Sequence, residues 1–485
     1  MDIHTQSEMA GSLSSRRREF YVGIATTVVI LLWSLFSANE ILSVISVLLG
    51  LTAFYYVAYC FLYGHMDPVL LTWACISPFG YYYLVYPQHH SIITFDRVVF
   101  ILLFMTIVLH ENKTTSILPT QARRAGLGWA LFCLFAGIAA ARSWNVLYAY
   151  RVWSDGFVLP SFLGWYILTR FEAKRYSSAL HPLLCVMITA VAAIALTEAV
   201  TFQDIMPLGD TGLEVYGVVN AGFARVNGPF GFSQTVGMVG AYIFLLLLYL
   251  RHSIHGIWPS WRKVLHGMGL LAAAVCVILP FSRTLLVVCI MAFLMDAWIT
   301  KSRKKYIYFF LIVIGCITIF MLLNMIFPYA TETRTSLVNL WSRFAQWTQD
   351  MQLILQHPFF GVGLINSYNT LAQFTTVEFL GINSVDSPHN DFFSILVETG
   401  MLGFVPFMYA QYHLWRAVKE FWDPIAVPLH FRYLLFMLII QWGHGMTFDT
   451  IYYGEINVWF VFVFCVIYRL ATQRETKNHQ EVLHG

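Results

Sequence analysis

Long apolar runs separated by short polar stretches fill most of the chain. A helix needs about 20 mostly apolar residues to cross a bilayer. Runs that approach or reach this length lie at 20–37, 41–63, 69–86, 97–110, 126–142, 157–170, 180–200, 233–250, 265–281, 284–300, 306–328, 391–414, 431–447 and 455–470. They are continuous rather than alternating with period two, which predicts helices and not barrel strands. The runs at 97–110 and 157–170 are short, so the expectation is an all-α polytopic transmembrane bundle of about 12–14 spans. Residues 1–19 are polar and end in Arg16-Arg17-Arg18, and no small-residue cleavage site follows the first run. That pattern reads as an uncleaved anchor behind a cytoplasmic tail.

The resulting organisation is an N-terminal tail at 1–19 and a bundle of about eleven spans at 20–328. A long outer loop at 329–390, three further spans at 391–470 and a second cytoplasmic tail at 471–485 complete it. Placing the N-terminus inside puts 22 of the 29 lysines and arginines on the inner side and seven outside. This asymmetry favours fourteen spans with both ends inside. The seven outer cations are Arg97, Arg142, Arg151, Arg225, Arg283, Arg334 and Arg343, with no lysine among them. Arginine suits bidentate contact with phosphate or carboxylate.

Composition changes the picture only by exclusion. Hydrophobic residues make up 58% of the chain and charged residues 11%, and the mean hydropathy is +0.65. Soluble domains carry about 25% charged residues, so a water-soluble fold, disorder and a collagen-like repeat are all excluded. The eight cysteines lie in apolar runs without C-x-x-C pairs, as small hydrophobes rather than a disulfide or zinc framework. No phosphate-binding loop, serine-hydrolase elbow, H-E-x-x-H or basic nucleic-acid surface is present.

Two outer loops are long enough to carry function. One covers 201–232 and is rich in glycine around Arg225. In the other, 329–390, Leu337, Leu340, Trp341, Phe344, Trp347, Met351, Ile354 and Leu355 recur at helical spacing. They predict an amphipathic helix suited to the membrane surface, roofing the outer side.

The chemistry concentrates at Ser387-Pro388-His389-Asn390-Asp391, followed by Glu398, Gly400 and Gly403. Ser387 suits an N-cap and Pro388 the first helical position. His389 is then expected in the first turn of an inward-running helix, where free N–H groups would attract an anion. Asp391 and Glu398 share a helix face, and a carboxylate inside a span calls for a partner, expected to be an arginine. Gly400 and Gly403 are expected to allow close helix packing. Upstream, His357-Pro358-Phe359-Phe360-Gly361-Val362-Gly363 marks a turn. Arg283, between two runs with almost no loop, and Arg225 are candidate anion ligands. Arg343 and His357 are further candidates of supporting rank.

These stretches resemble the O-antigen ligase and polymerase superfamily of bacterial envelope proteins. The similar parts are Arg225-Val226-Asn227-Gly228, Ser282-Arg283-Thr284, His357-Pro358 with Gly361-Val362-Gly363, and His389-Asn390-Asp391 with Glu398-x-Gly400-x-x-Gly403. The resemblance implies an inverting glycosyltransferase that needs no metal or other cofactor. Its donor would be a glycan on undecaprenyl diphosphate, and its acceptor lipid A core or another glycan. It implies a periplasmic active site in the bacterial inner membrane, with His389 catalytic, Arg225 and Arg283 on the diphosphate, and membrane lipid but no nucleic acid as partner. A polymerase or a protein O-oligosaccharyltransferase of the same superfamily fits the same residues. A polysaccharide-lipid transporter is the competing class; it predicts internal repeats and mid-membrane ionisable groups, whereas the ionisable cluster here lies at the outer ends of spans.

Overall fold

In hydrocarbon a backbone amide has no water to bond, so each apolar run closes its hydrogen bonds within itself. A computed structural model of the chain describes residues 41–80, 85–86, 93–110, 118–206, 226–254, 258–280, 282–299, 338–367, 389–423 and 427–484, with single positions between 301 and 314. These residues form α1 (Ile41–Leu62), α2 (Asp67–Ile76), α3 (Phe95–Leu109), α4 (Thr120–Ala141), α5 (Val146–Trp153), α6 (Leu159–Thr169) and α7 (Ala173–Thr201). They continue as α8 (Ser233–Ser253), α9 (Ser260–Ile278), α10 (Arg283–Ile299), α11 (Val338–Gln356), α12 (Asp391–Lys419), α13 (Leu429–Gly445) and α14 (Gly454–His484). The described strands are a two-residue antiparallel pair, Val85–Tyr86 with Ile93–Thr94.

Twelve of the predicted runs coincide with helices; the run at 20–37 lies outside the described residues, as does 306–328 except at single positions. Among the described residues six helices are long and apolar enough to cross a membrane: α4, α7, α8, α9, α12 and α14 as far as Gln473. The chain is an all-α, multi-pass membrane protein.

α8 is buried on nearly every side and packs on α7, α9, α13 and α14. α12 lies against α4, where Phe132, Ala136, Ala139 and Ala140 meet Ile395 and Phe407. Small residues let the two backbones approach: a Cβ on Gly128 would stand 2.8 Å from the Ala410 nitrogen.

Two features shape the fold around the site. The first is α11, which packs on α12 through Trp347 on Phe393 and Leu353 with Val397 and buries Gln346 and Asp350, while Phe344, Met351 and Leu355 stay exposed. Its polar side faces the protein and much of its apolar side faces out. The second is a break in α12 at Gly400, whose φ of +63° and ψ of −168° interrupt the helix. The freed amides of Met401 and Leu402 donate to the carbonyls of Pro358 (2.8 Å) and Phe359 (3.2 Å). The freed carbonyls of Val397 and Glu398 accept from Val362 (2.9 Å) and Gly363 (3.0 Å). The turn after α11 is thus spliced into α12 backbone to backbone. A Cβ on Gly400 would run into the Phe359 carbonyl, and one on Gly361 into the Glu398 carbonyl. Gly400 therefore breaks the helix, where helix packing was expected, and Gly403 sits within its own turn against Thr399.

Candidate functional site

Asn390, not Ser387, caps α12. Its side-chain oxygen accepts from the amides of Phe392 (3.0 Å) and Phe393 (3.2 Å), and its amide group donates to the Met446 carbonyl (3.1 Å). Ser387 and Pro388 lie outside the described residues. His389 precedes the cap instead of occupying the first turn, and its φ of +49° is left-handed. An L-residue holds that conformation at a cost of about 1–2 kcal/mol, so the surroundings must enforce it.

The enforcing group is Asp449, from the short connection between α13 and α14. Its carboxylate accepts from the amides of His389 and Asn390, both at 3.0 Å, and from the Ser394 hydroxyl. The same carboxylate stands 3.7 Å from His389 Nδ1. The imidazole is partly exposed and Asp449 is buried. Phe448 stacks on the His389 ring at 6.1 Å, and Phe232 and Tyr453 stack on Phe448 in turn.

Among the described residues Glu398 lacks the expected arginine partner, and the amides where an anion was expected, those of His389, Asn390, Phe392 and Phe393, are bonded to the protein's own side chains. The first free amides of α12 are taken by Asn390, and those preceding it by Asp449. Asp391 turns inward, accepting from the Thr450 hydroxyl and the Ile451 amide (2.9 Å). Glu398 accepts from the amide of Ile365 (2.7 Å) and the hydroxyl of Ser367 (2.8 Å), rather than from an arginine. Both acids are buried and staple α12 to neighbouring segments.

Of the supporting candidates, Arg343 reaches the site's frame, donating to the Thr447 carbonyl at 2.9 Å. His357 is exposed at the end of α11, where its carbonyl accepts from Gly361. Arg225 lies outside the described residues. Arg283 begins α10, and its side chain is also outside the description. Under the roof, burial pushes the Asp350 carboxyl up to about 8; Gln346 donates to one oxygen at 3.4 Å.

Asp449 is the residue that sequence reasoning passed over. An acid in a short outer connection between two apolar runs was the available signal. A cavity of about 550 Å³ opens beside it, with Glu398, Asp449 and Tyr452 on one wall and Arg97, Arg151 and Asp155 on another. Arg97 holds Asp155 through two bonds of 2.7 and 2.6 Å. Asp155 lies in a wider π turn, Ser154–Val158, between α5 and α6.

Residues 268–408 match the O-antigen ligase family. The matched stretch runs from α9 into α12 and carries Arg283, Arg343, His357, His389, Asn390, Asp391 and Glu398. It supports the O-antigen ligase superfamily, and with it a glycosyltransferase-like enzyme of ligase or polymerase type in polysaccharide biosynthesis. Arg225 and Asp449 fall outside the match. No curated protein matches the chain.

Proposed function

We propose that the protein transfers an oligosaccharide or polysaccharide from undecaprenyl diphosphate to an acceptor hydroxyl, that of lipid A core, at the periplasmic face of the inner membrane. The observation that carries this reading is the pairing of His389 with a buried carboxylate at the start of a membrane helix. The O-antigen ligase match over the same stretch supports it.

A proton on Nδ1 directed at Asp449 selects the tautomer in which Nε2 is the base. Nε2 takes the proton from the acceptor hydroxyl as its oxygen attacks C1 of the donor sugar. The bond from C1 to the diphosphate oxygen breaks, the pair leaves with the phosphate, and the configuration inverts. Asp449 steadies the imidazolium that forms. With the α12 amides already engaged, the growing phosphate charge falls to Arg225 and Arg283, in the role a divalent metal has elsewhere. Arg343 and α11 hold the loop and limit water, which would otherwise hydrolyse the donor.

The test uses purified full-length protein, undecaprenyl-diphosphate-linked oligosaccharide and lipid A core. A single shift of the core lipid, lost in His389→Ala and retained in His357→Ala, is expected. A ladder formed from the donor alone would make the protein a polymerase. Wild-type transfer by His389→Ala, Arg225→Ala and Arg283→Ala alike would sink the scheme.

A further inference from the structure

The transferase reading leaves the cavity beside Asp449 without an occupant, and the inference here rests on that reading. The cavity is lined from α3, α5, α6 and α14 and from the π turn. Arg283 begins α10, which packs on α13; α14 packs on the same α13 and on α6. Asp449, which lines the cavity, stands 3.7 Å from Nδ1 of His389, the base that takes the acceptor's proton on this reading, and this neighbourhood puts the cavity on the acceptor's side.

The lining has a definite chemistry. Among the described residues it holds five carboxylates against two arginines, Arg97 and Arg151. Arg97 is spent on Asp155. Asp449 and Glu398 are bonded to the protein, as described above. Glu455 differs: its carboxylate meets its own amide, and no other residue bonds to it among those described. Tyr148 and Tyr453 add aromatic surface to the walls. A volume of about 550 Å³ lies within the roughly 300–1,000 Å³ range of small-molecule sites.

We infer that the cavity seats the sugar bearing the acceptor hydroxyl, that Glu455 accepts a hydrogen bond from it, and that the carboxylate excess selects uncharged or amino sugars over uronic acids. Hydroxyl and ammonium groups satisfy an unengaged carboxylate, whereas a uronate adds a like charge in a partly desolvated pocket.

Binding of maltotriose, a glucosamine trimer and trigalacturonate to the full chain in detergent, followed by saturation-transfer NMR, tests this without any donor. Both non-acidic trimers are expected to outbind trigalacturonate by at least about tenfold. Glu455→Gln should narrow that gap and Glu455→Asp should preserve it. Arg151→Gln, which removes a cation from the wall, should widen it even if the Glu455 variants fail to fold. Binding of none of the trimers, equal binding of all three, or an unchanged gap in both Glu455→Gln and Arg151→Gln overturns the inference. His389→Ala separates the two readings: it should keep the sugar preference while losing transfer.

Discussion

Two residues of positive φ, Gly400 within α12 and His389 just before its cap, are held in opposite ways. At Gly400 the backbone of the 358–363 turn fills the break, and no side chain is present to do chemistry. At His389 a buried carboxylate from a distant connection grips the backbone, and the imidazole stays partly exposed. Glycine adopts a positive φ without steric cost, so the first site is a solution to packing. Histidine does not, so the second carries strain that packing alone does not require. On the proposed function, His389 rather than the more conspicuous glycine motif is where stability is given up for chemistry.

The sharpest way to test this contrast is to remove each side chain's contribution separately. His389→Ala should lower transfer about 100- to 10,000-fold, the range of general base catalysis, with little change in melting temperature. A loss of fold without a specific loss of turnover would erase the distinction. Gly400→Ala should do the reverse. Strain of about 1–3 kcal/mol, from a φ/ψ region open essentially to glycine alone, plus collision with the Phe359 carbonyl should lower the melting temperature in detergent and the yield of folded protein. A fully stable Gly400→Ala would mean that the splice is not rigid.

Asp449→Asn should keep one acceptor oxygen, enough for the Asn390 amide and the Ser394 hydroxyl, while losing the acceptor of the His389 amide and the charge beside Nδ1. Transfer should fall by about 100-fold, with the pH–rate profile displaced because the imidazolium loses its counter-charge. An unchanged profile would reduce Asp449 to a backbone clamp.

Smaller still is the difference between His389→Gly and His389→Ala. Both lack the imidazole. The glycine form should be the more stable by up to about 1 kcal/mol, whereas at an ordinary position alanine is at least as stable.

Asp350 supplies the mildest probe. Its proton is held more tightly in the folded chain than in the unfolded one, because burial lifts it from 3.8 to about 8. The fold therefore loses stability as pH rises through that window, fully so above about 8. Asp350→Asn should raise the melting temperature most on the alkaline side and leave it nearly unchanged in acid. A gain that is equal at both extremes would put the carboxyl in water.

Much of the architecture was legible from the chain because hydrocarbon leaves the backbone few options, and long apolar runs such as 180–200 and 233–250 can only be helices. The neighbourhood of His389 was also legible, since cap-forming and charged residues interrupt an apolar pattern there. The cap was misplaced because Ser387 and Asn390 both suit an N-cap, and the choice between them is made by Asp449, some sixty residues on. The break at Gly400 was hidden because the apolar period reads straight through it; only the approach of residues 358–363 makes it necessary. The cavity was out of reach for the same reason, as its walls come from five separated parts of the chain around 96, 151, 366, 398 and 452.

The grip of Asp449 on the amides of His389 and Asn390 also imposes an order on biosynthesis. The histidine leaves the ribosome well before the carboxylate that shapes it. Until α13 and α14 have inserted, a nascent chain carries the base without its conformation. On the proposed function, a half-made protein beside a pool of activated lipid would therefore be inert, and only the finished chain could spend it.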